Sequence, residues 1–272
     1  MTFGEMFKRF MRKRTRPTVA LVLGGGAARG FAHIGVIRVL EQEKIPIDMI
    51  VGTSVGSLIG ALYAHTVNSF ELEWTAFTLE RNDVFDYGIR TVFNGMGAAK
   101  GLRLEEFIRS KVAVSNIEDL KIPFAALATD LNQGTRVVLD SGPVATAVRA
   151  SCSIPGVFEP VLHQGNLLVD GGVLENLPVS VAREKGADVV IAVDVSVSVV
   201  NRDISNLLDV MVQSVNIMAA QNVKLQRKAA DILIQPVVGH IGMMDFSQKK
   251  QCLEAGMEAA RQAMPDIRTK IN

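Results

Sequence analysis

The sequence contains one serine in a setting that suits nucleophilic chemistry, within Gly52-Thr53-Ser54-Val55-Gly56. This G-x-S-x-G pattern stands between an apolar run typical of a buried strand and a second run typical of a helix. In that context the two glycines allow a turn sharp enough to expose the serine hydroxyl, and the helix N-terminus favours developing negative charge. The pattern therefore predicts that Ser54 is a nucleophile, against the alternative of a structural Gly-Ser turn.

A glycine-rich segment, Gly24-Gly25-Gly26-Ala27-Ala28-Arg29-Gly30, stands at an earlier junction between a predicted strand and a predicted helix. Consecutive backbone N–H groups in such a loop form a site for an anion. The anion could be a dinucleotide pyrophosphate or the oxyanion of an acyl-transfer intermediate. The spacing G-x-G-x-x-x-G is one residue longer than the dinucleotide pattern, and the G-x-S-x-G occupies the place of its acidic residue. The segment therefore favours an oxyanion hole.

The serine needs a base, and the sequence leaves two arrangements open. Among the histidines His33, His65, His163 and His240, only the last fits the chain order of an α/β-hydrolase triad with Ser54 and Asp170. No motif surrounds His240, however. Asp170 follows an apolar run and precedes two glycines, so a predicted strand delivers its carboxylate at a strand tip. We favour Asp170 as the base over an ordinary Asp-Gly turn, and keep the triad with His240 as the alternative.

The elements that must position these groups follow from hydrophobic periodicity. Residues 18–23, 31–42, 48–52 and 54–65 predict a strand–helix–strand–helix start, hence a parallel sheet. Further strands are predicted at 124–129, 136–139, 166–169, 188–195 and 232–235, and helices at 103–111, 143–150, 178–185, 204–226 and 248–263. The uncharged stretch 49–70 is interpreted as a strand and a helix rather than a membrane span, because glycines interrupt it. The pattern predicts a three-layer α/β/α domain with a mainly parallel central sheet.

Two further segments could shape access to a site. Helix 204–226 carries an apolar stripe that either faces the core or lines a channel for an acyl chain; it consists of Leu207, Leu208, Met211, Val212, Val215, Met218 and Leu225. Residues 84–101 contain four glycines and are interpreted as a lid or as a long surface loop.

Composition separates a basic N-terminal extension, residues 1–17, from a single domain over residues 18–272. Residues 1–16 carry six basic side chains against one acid, with apolar residues at helical spacing, whereas the whole chain has a formal net charge of +1. The extension is either a helix lying on an anionic membrane or a solvated arm. The small net charge gives no reason to expect nucleic acid, and the two distant cysteines favour a reducing compartment. We expect a cytoplasmic protein without metal or cofactor, peripheral to the inner face of the membrane if the extension binds there.

The residues as a set resemble the patatin-like phospholipases. The similarity runs in order along Leu23–Gly35, Gly52–Gly60, Ala150–Pro160 and Asp170–Pro178, whereas the remainder matches only in general layout. The resemblance implies a lipid acyl hydrolase with a Ser54–Asp170 dyad and no catalytic histidine. A regulatory or scaffold protein that kept this fold without activity is the non-enzymatic alternative.

The resemblance also implies roles for the glycine loop and its surroundings. Backbone N–H groups of Gly25, Gly26 and Ala27 would form the oxyanion hole, and Arg29 would either help hold the loop or favour negative charge there. Supporting glycines would be Gly52, Gly56, Gly171 and Gly172. Alanine stands at position 27 where many members have glycine, and a positive φ there would put that donor in doubt. Substrates would be fatty acyl esters of phospholipids, lysophospholipids or related lipids.

Overall fold

A computed structural model describes residues 16–84, 86, 97–196 and 207–271, and its centre is a mixed β-sheet. The strands are β1 (Val19–Leu23), β2 (Met49–Thr53), β3 (Gly97–Ala99), β4 (Phe124–Asp130), β5 (Thr135–Leu139), β6 (Gly156–Phe158), β7 (Val161–His163), β8 (Asn166–Asp170), β9 (Val189–Val193) and β10 (Ile232–Ile234). The main sheet has the order β10-β9-β1-β2-β4-β8-β7, with β5 also paired to β4, and β3 pairs with β6 separately. Strands from β10 to β4 are parallel, whereas β5, β8 and β7 run antiparallel to their neighbours.

Helices cover both faces of this sheet. They are α1 (Phe31–Gln42), α2 (Val55–Thr66), α3 (Ser69–Thr78), α4 (Arg81–Val84), α5 (Leu102–Lys111), α6 (Val144–Ser151), α7 (Val179–Glu184), α8 (Leu207–Lys228) and α9 (Lys249–Ile271). Alternate residues of the buried strands belong to two separate hydrophobic clusters, one on each face. The larger cluster includes residues of α1, α2 and α9, and the smaller one includes residues of α7. This arrangement confirms the predicted α/β fold with helices on both sides of a mainly parallel sheet.

The pairing of β4 brings two strand ends together. One edge of β4 pairs with β5 over Ala126–Asp130. The opposite edge pairs with parallel β2 up to Leu127 and with antiparallel β8 from Ala128 onward. Because one residue of a strand has a single partner on each edge, β2 and β8 meet end to end along β4. Their last residues are Thr53, opposite Leu127, and Asp170, opposite Ala128.

The predicted strands and helices of the described residues are all present, with shifted ends. The prediction missed α3, α4 and the short strands β3, β6 and β7. It also ended the last helix at residue 263, whereas α9 continues through Pro265 to Ile271. Segment 49–70 contains β2 and α2 as expected, and no helix among the described residues is long and apolar enough to span a membrane.

Three predictions fall wholly or partly on residues outside those that the structure describes. Residues 1–15 of the basic extension are among them, but Arg16 is described and forms two hydrogen bonds, of 2.7 and 2.9 Å, with Asp48. Residues 85 and 87–96 of the proposed lid lie outside as well. Asp86 is described, and its carboxylate accepts the N–H groups of Gly101 and Leu102 at the start of α5. The side chains of Leu207, Leu208, Val212 and Val215 in the apolar stripe are likewise outside.

Helix α9 crosses α1 at very short range because each helix has a glycine at the crossing. A Cβ on Gly35 would lie 2.0 Å from the carbonyl oxygen of Leu253, and a Cβ on Gly256 would lie 2.0 Å from that of Ala32. Any larger side chain would separate the helices. The C-terminal helix is therefore fixed against the helix that follows the glycine loop.

Candidate active site

Ser54 occupies a sharp turn between β2 and α2. Its backbone has φ 54° and ψ −130°, a conformation that non-glycine residues rarely adopt and that indicates local strain. The turn requires glycine on both sides of Ser54, because neighbouring backbone atoms come too close to each of these residues to leave room for a Cβ. A Cβ on Gly52 would lie 2.6 Å from the carbonyl of Gly56, and a Cβ on Gly56 would lie 2.1 Å from the carbonyl oxygen of Leu23. This geometry is the strained elbow that the G-x-S-x-G pattern predicts.

Asp170 ends β8 beside this serine. Only 5% of its surface is exposed, and burial raises the pKa of its carboxyl from 3.8 to about 6, because desolvation disfavours the charged form. The neighbouring Ser54 hydroxyl and the Gly172 N–H, which donates to Asp170 Oδ1 at 2.7 Å, act in the opposite direction on this pKa. The structure thus brings the two predicted residues together, and it gives Asp170 a basicity closer to neutral pH than that of an exposed aspartate.

A short segment at the end of α6 holds both residues, and the sequence analysis assigned its members no role. The hydroxyl of Ser151 accepts the backbone N–H of Ser54 at 2.9 Å, and the carbonyl of Ser153 accepts that of Asp170 at 2.9 Å. Between them, buried Cys152 lies near Ser57 and Asp170, and burial raises the pKa of its thiol well above the usual range. The segment lies within Ala150–Pro160, so the family resemblance was the available signal.

The glycine loop faces the serine. A Cβ on Gly25 would lie 3.2 Å from the Ser54 Cβ and 2.4 Å from the Asn176 side-chain oxygen, so only glycine fits there. The Gly25 N–H donates to the Asn176 carbonyl at 3.2 Å, which differs from its predicted role as a free oxyanion donor. Gly26 and Ala27 follow in the same loop. Ala27 has φ 51°, the positive value under which its assignment as a donor was in doubt, because a positive φ strains a residue that has a Cβ.

Two residues fix the loop from behind. Arg29 is buried and its Nε donates to the carbonyl of Ile241 at 2.7 Å, so its side chain links the glycine loop to the segment after β10. His33 is fully buried, and its Nε2 is 2.8 Å from the Gly24 carbonyl, which can only accept. Burial lowers the pKa of His33 to about 4, so this imidazole is neutral at pH 7. His33 is therefore a packing residue that holds the loop.

His240, the base of the alternative triad, is an exposed residue beyond β10. The neighbouring groups that lower the pKa of Asp170 are Ser54 and Gly172, and His240 does not contribute to the shift of this pKa. Within the described part of the chain, no cluster of three His, Cys, Asp or Glu residues is arranged to hold a metal ion.

Sequence comparison agrees with this geometry. The profile of the family described as patatin-like phospholipase matches residues 21–183, more than half of the chain and all of the loop, elbow and aspartate. The chain belongs to the patatin-like phospholipase family. Among curated members, the lysophospholipase NTE1 of Scheffersomyces stipitis is 29% identical over 288 residues, covering 93% of this chain and 18% of its own length. The human patatin-like phospholipase domain-containing protein 6 is 39% identical over 199 residues, covering 70% and 14% respectively.

This patatin-like chain thus spans less than a fifth of the length of either relative. Solved structures agree in fold. VipD from Legionella pneumophila superposes with a TM-score of 0.62 at 12% identity, over 92% of this chain and 67% of VipD. ExoU from Pseudomonas aeruginosa, solved with SpcU, gives 0.55 at 12% identity, over 94% and 53%. At this identity the likeness concerns the fold alone.

Replacing Ser151 by alanine should lower the free energy of unfolding by about 1–3 kcal/mol, because it leaves the buried N–H of Ser54 without its acceptor. Urea denaturation monitored by circular dichroism measures this. Exposed Ser214, whose hydroxyl bonds within its own helix, is the control; Ser214→Ala should change stability by less than about 0.5 kcal/mol. Equal stability of Ser151→Ala and the native chain would contradict the assigned hydrogen bond.

Replacing Ala27 by glycine should raise the free energy of unfolding by about 1 kcal/mol, because glycine adopts a positive φ without the Cβ strain of alanine. The same measurement applies. Ala113→Gly provides the contrast, because Ala113 is exposed and is not among the residues with positive φ. Glycine at that position should only raise the conformational entropy of the unfolded chain and so lower stability. Destabilisation by both substitutions to a similar extent would refute the strain at Ala27.

Proposed function

We propose that the chain is a serine acyl hydrolase that cleaves fatty acyl esters of phospholipids, lysophospholipids or related lipids through a Ser54–Asp170 dyad. The observation that supports this most is the buried carboxylate of Asp170, held beside a strained serine elbow and in front of a glycine loop. Family membership supports the reaction class, and the curated lysophospholipase relatives support a lysophospholipid substrate.

In the first half-reaction, the Ser54 hydroxyl attacks the ester carbonyl carbon and its proton passes to the Asp170 carboxylate. The carbonyl oxygen becomes an oxyanion that accepts the N–H groups of Gly26 and Ala27. Gly25 allows the close approach of the loop while its own N–H is bonded to Asn176. Collapse of the intermediate breaks the ester bond, and the departing alkoxide takes the proton from Asp170.

In the second half-reaction, water attacks the acyl group on Ser54 and gives its proton to Asp170. The same oxyanion donors stabilise the second intermediate. Its collapse returns the proton to Ser54 and releases the fatty acid. One carboxylate thus accepts and returns a proton twice. A pKa of about 6 suits this task, because the base is ionised at pH 7 yet its conjugate acid remains a proton donor.

Two alternatives remain within reach of experiment. A triad with His240 would require this exposed residue to move next to Asp170, and nothing in the described contacts favours that movement. A regulatory protein without activity is disfavoured because Ser54, Asp170 and the glycine loop are all in place. Labelling of Ser54 by a fluorophosphonate probe distinguishes an active hydrolase from such a scaffold.

Substituting Asp170 by asparagine should lower kcat on a fatty acyl ester by about 10²–10⁴-fold, the usual contribution of a general base. The asparagine oxygen can still accept the Gly172 N–H, so the circular dichroism spectrum and the cooperative thermal transition should remain. Asp140→Asn, at a partly exposed carboxylate paired with Lys185, is the matched control and should retain activity. Full ester hydrolysis by a folded Asp170→Asn variant would refute the dyad.

The pH dependence of kcat/KM should follow ionisation of Asp170. Because the base must be deprotonated and burial raises its pKa to about 6, activity should be constant above that pH and fall about tenfold per unit below it. Hydrolysis of a soluble ester between pH 4.5 and 9 measures this. His240→Ala should show the same profile, whereas loss of its activity would support the triad instead.

A further inference from the structure

Helix α8 presents an apolar face to solvent. Exposed fractions reach 47% for Met211, 57% for Met218 and 70% for Leu225, and Val210 and Ile217 are exposed as well. At 3.6 residues per turn, these side chains fall within an arc of about 120°, which also contains exposed Ser214 and Gln221. Met211, Met218 and Leu225 belong to the stripe predicted to face the core or to line an acyl channel, and their exposure contradicts the core-facing interpretation. We call the five apolar residues the α8 face.

The opposite side of α8 is fixed to the loop that follows Asp170. Val223 is buried on that side. The Gln226 side chain accepts the N–H of Leu177 at 2.9 Å and donates to the carbonyl of Leu174 at 3.3 Å. Arg227 donates to the buried carboxylate of Asp194 at 2.5 Å. The α8 face is therefore held in a fixed orientation on the segment that carries the proposed base.

Beyond Asp209 in its first turn, the charged residues of α8 are all basic. From residue 210 to residue 228 the sequence contains Lys224, Arg227 and Lys228 and no carboxylate. Arg227 is paired with Asp194, whereas Lys224 and Lys228 are exposed in the last turns of the helix. An apolar face bordered by lysines is typical of a helix that lies in a membrane interface, where lysine amines reach the headgroups.

We propose that the α8 face docks the protein on an anionic lipid surface and holds the active site at the membrane. Charge complementarity selects this partner, because exposed lysines beside the face attract anionic headgroups while the apolar residues enter the acyl boundary. Continuity with the site supports it, since the same helix is bonded to the loop after Asp170. The proposal rests on the lipid hydrolase function in one respect: the docked membrane would supply the substrate.

Co-sedimentation of the full chain with vesicles of diether phosphatidylglycerol tests this, because ether lipids have no acyl ester to cleave. The double variant Met211→Glu/Met218→Glu should bind at least tenfold more weakly. Leu162→Glu/Val237→Glu adds the same two charges at residues that are 74% and 80% exposed outside α8, and it should bind as the native chain does. Lys224→Glu/Lys228→Glu should remove most of the difference between low and high salt.

Equal binding by the native chain and the double methionine variant would overturn the proposal. It would also be overturned if the native chain formed a concentration-dependent dimer in analytical ultracentrifugation that the methionine variant abolished, since the face would then bind a second copy. Circular dichroism confirms that each variant is folded. These substitutions are at exposed positions, so they are expected to cost little stability.

A soluble short-chain ester separates this proposal from the proposed function. The double methionine variant should hydrolyse p-nitrophenyl butyrate as fast as the native chain, because neither methionine belongs to the catalytic machinery. If the native chain failed to cleave this ester but bound vesicles through α8, the hydrolase proposal would be wrong and the docking proposal would stand. If the native chain cleaved this ester but did not bind vesicles through α8, the docking proposal would be wrong and the hydrolase proposal would stand.

Discussion

The candidate site depends on how one edge of β4 is shared between two strands. β2 occupies this edge up to Leu127 and leaves it, and β8 arrives from the opposite direction and occupies it from Ala128. Backbone hydrogen bonding permits neither strand to extend further without displacing the other. The chain must therefore turn away at Ser54 and end its strand at Asp170, so the two side chains meet where two ladders stop. Residues more than a hundred positions apart are brought together by main-chain pairing.

The site is maintained against local costs. Ser54 and Ala27 have positive φ, and the Asp170 carboxyl is buried. Because the pKa of Asp170 is raised in the folded state, its contribution favours folding most at low pH and is lost as pH rises through about 6. The ionised form needed for a base is thus the form that stabilises the fold less. The hydrogen bonds that Ser151 and Ser153 accept from the backbone N–H groups of Ser54 and Asp170 hold the serine and the aspartate in place.

The sequence predicts the parallel half of the sheet well, because continuous apolar runs such as residues 19–23 and 189–193 have no other stable environment. Ser54 and the glycine loop are also predictable, since their motifs require a strand before and a helix after them. The antiparallel direction of β8 is a property of tertiary pairing and leaves no local pattern. Helix α3 was missed because Phe70 and Trp74 are exposed on it, so its apolar pattern does not describe a buried face.

For a related reason, the sequence could not predict the hydrogen bond of the Gly25 N–H or the hydrogen bond that the Ser151 hydroxyl accepts. Each depends on a contact with a residue about a hundred or more positions away, Asn176 for the first and Ser54 for the second. The exposed face of α8 shows a second limit of prediction from hydrophobic periodicity. Periodicity identifies an amphipathic helix, but it does not determine whether the apolar side meets the protein or another phase.

The glycine crossing of α1 and α9 ties the end of the described chain to the segment that the family profile matches. The family match ends at residue 183, yet β9 completes one side of β1, and α9 covers the helix that follows the glycine loop. A fragment ended at that match would expose an unpaired strand edge next to bare helix surface, the combination that promotes aggregation. The packed structure around the site therefore includes β9 and α9, which lie beyond the segment that the family profile matches.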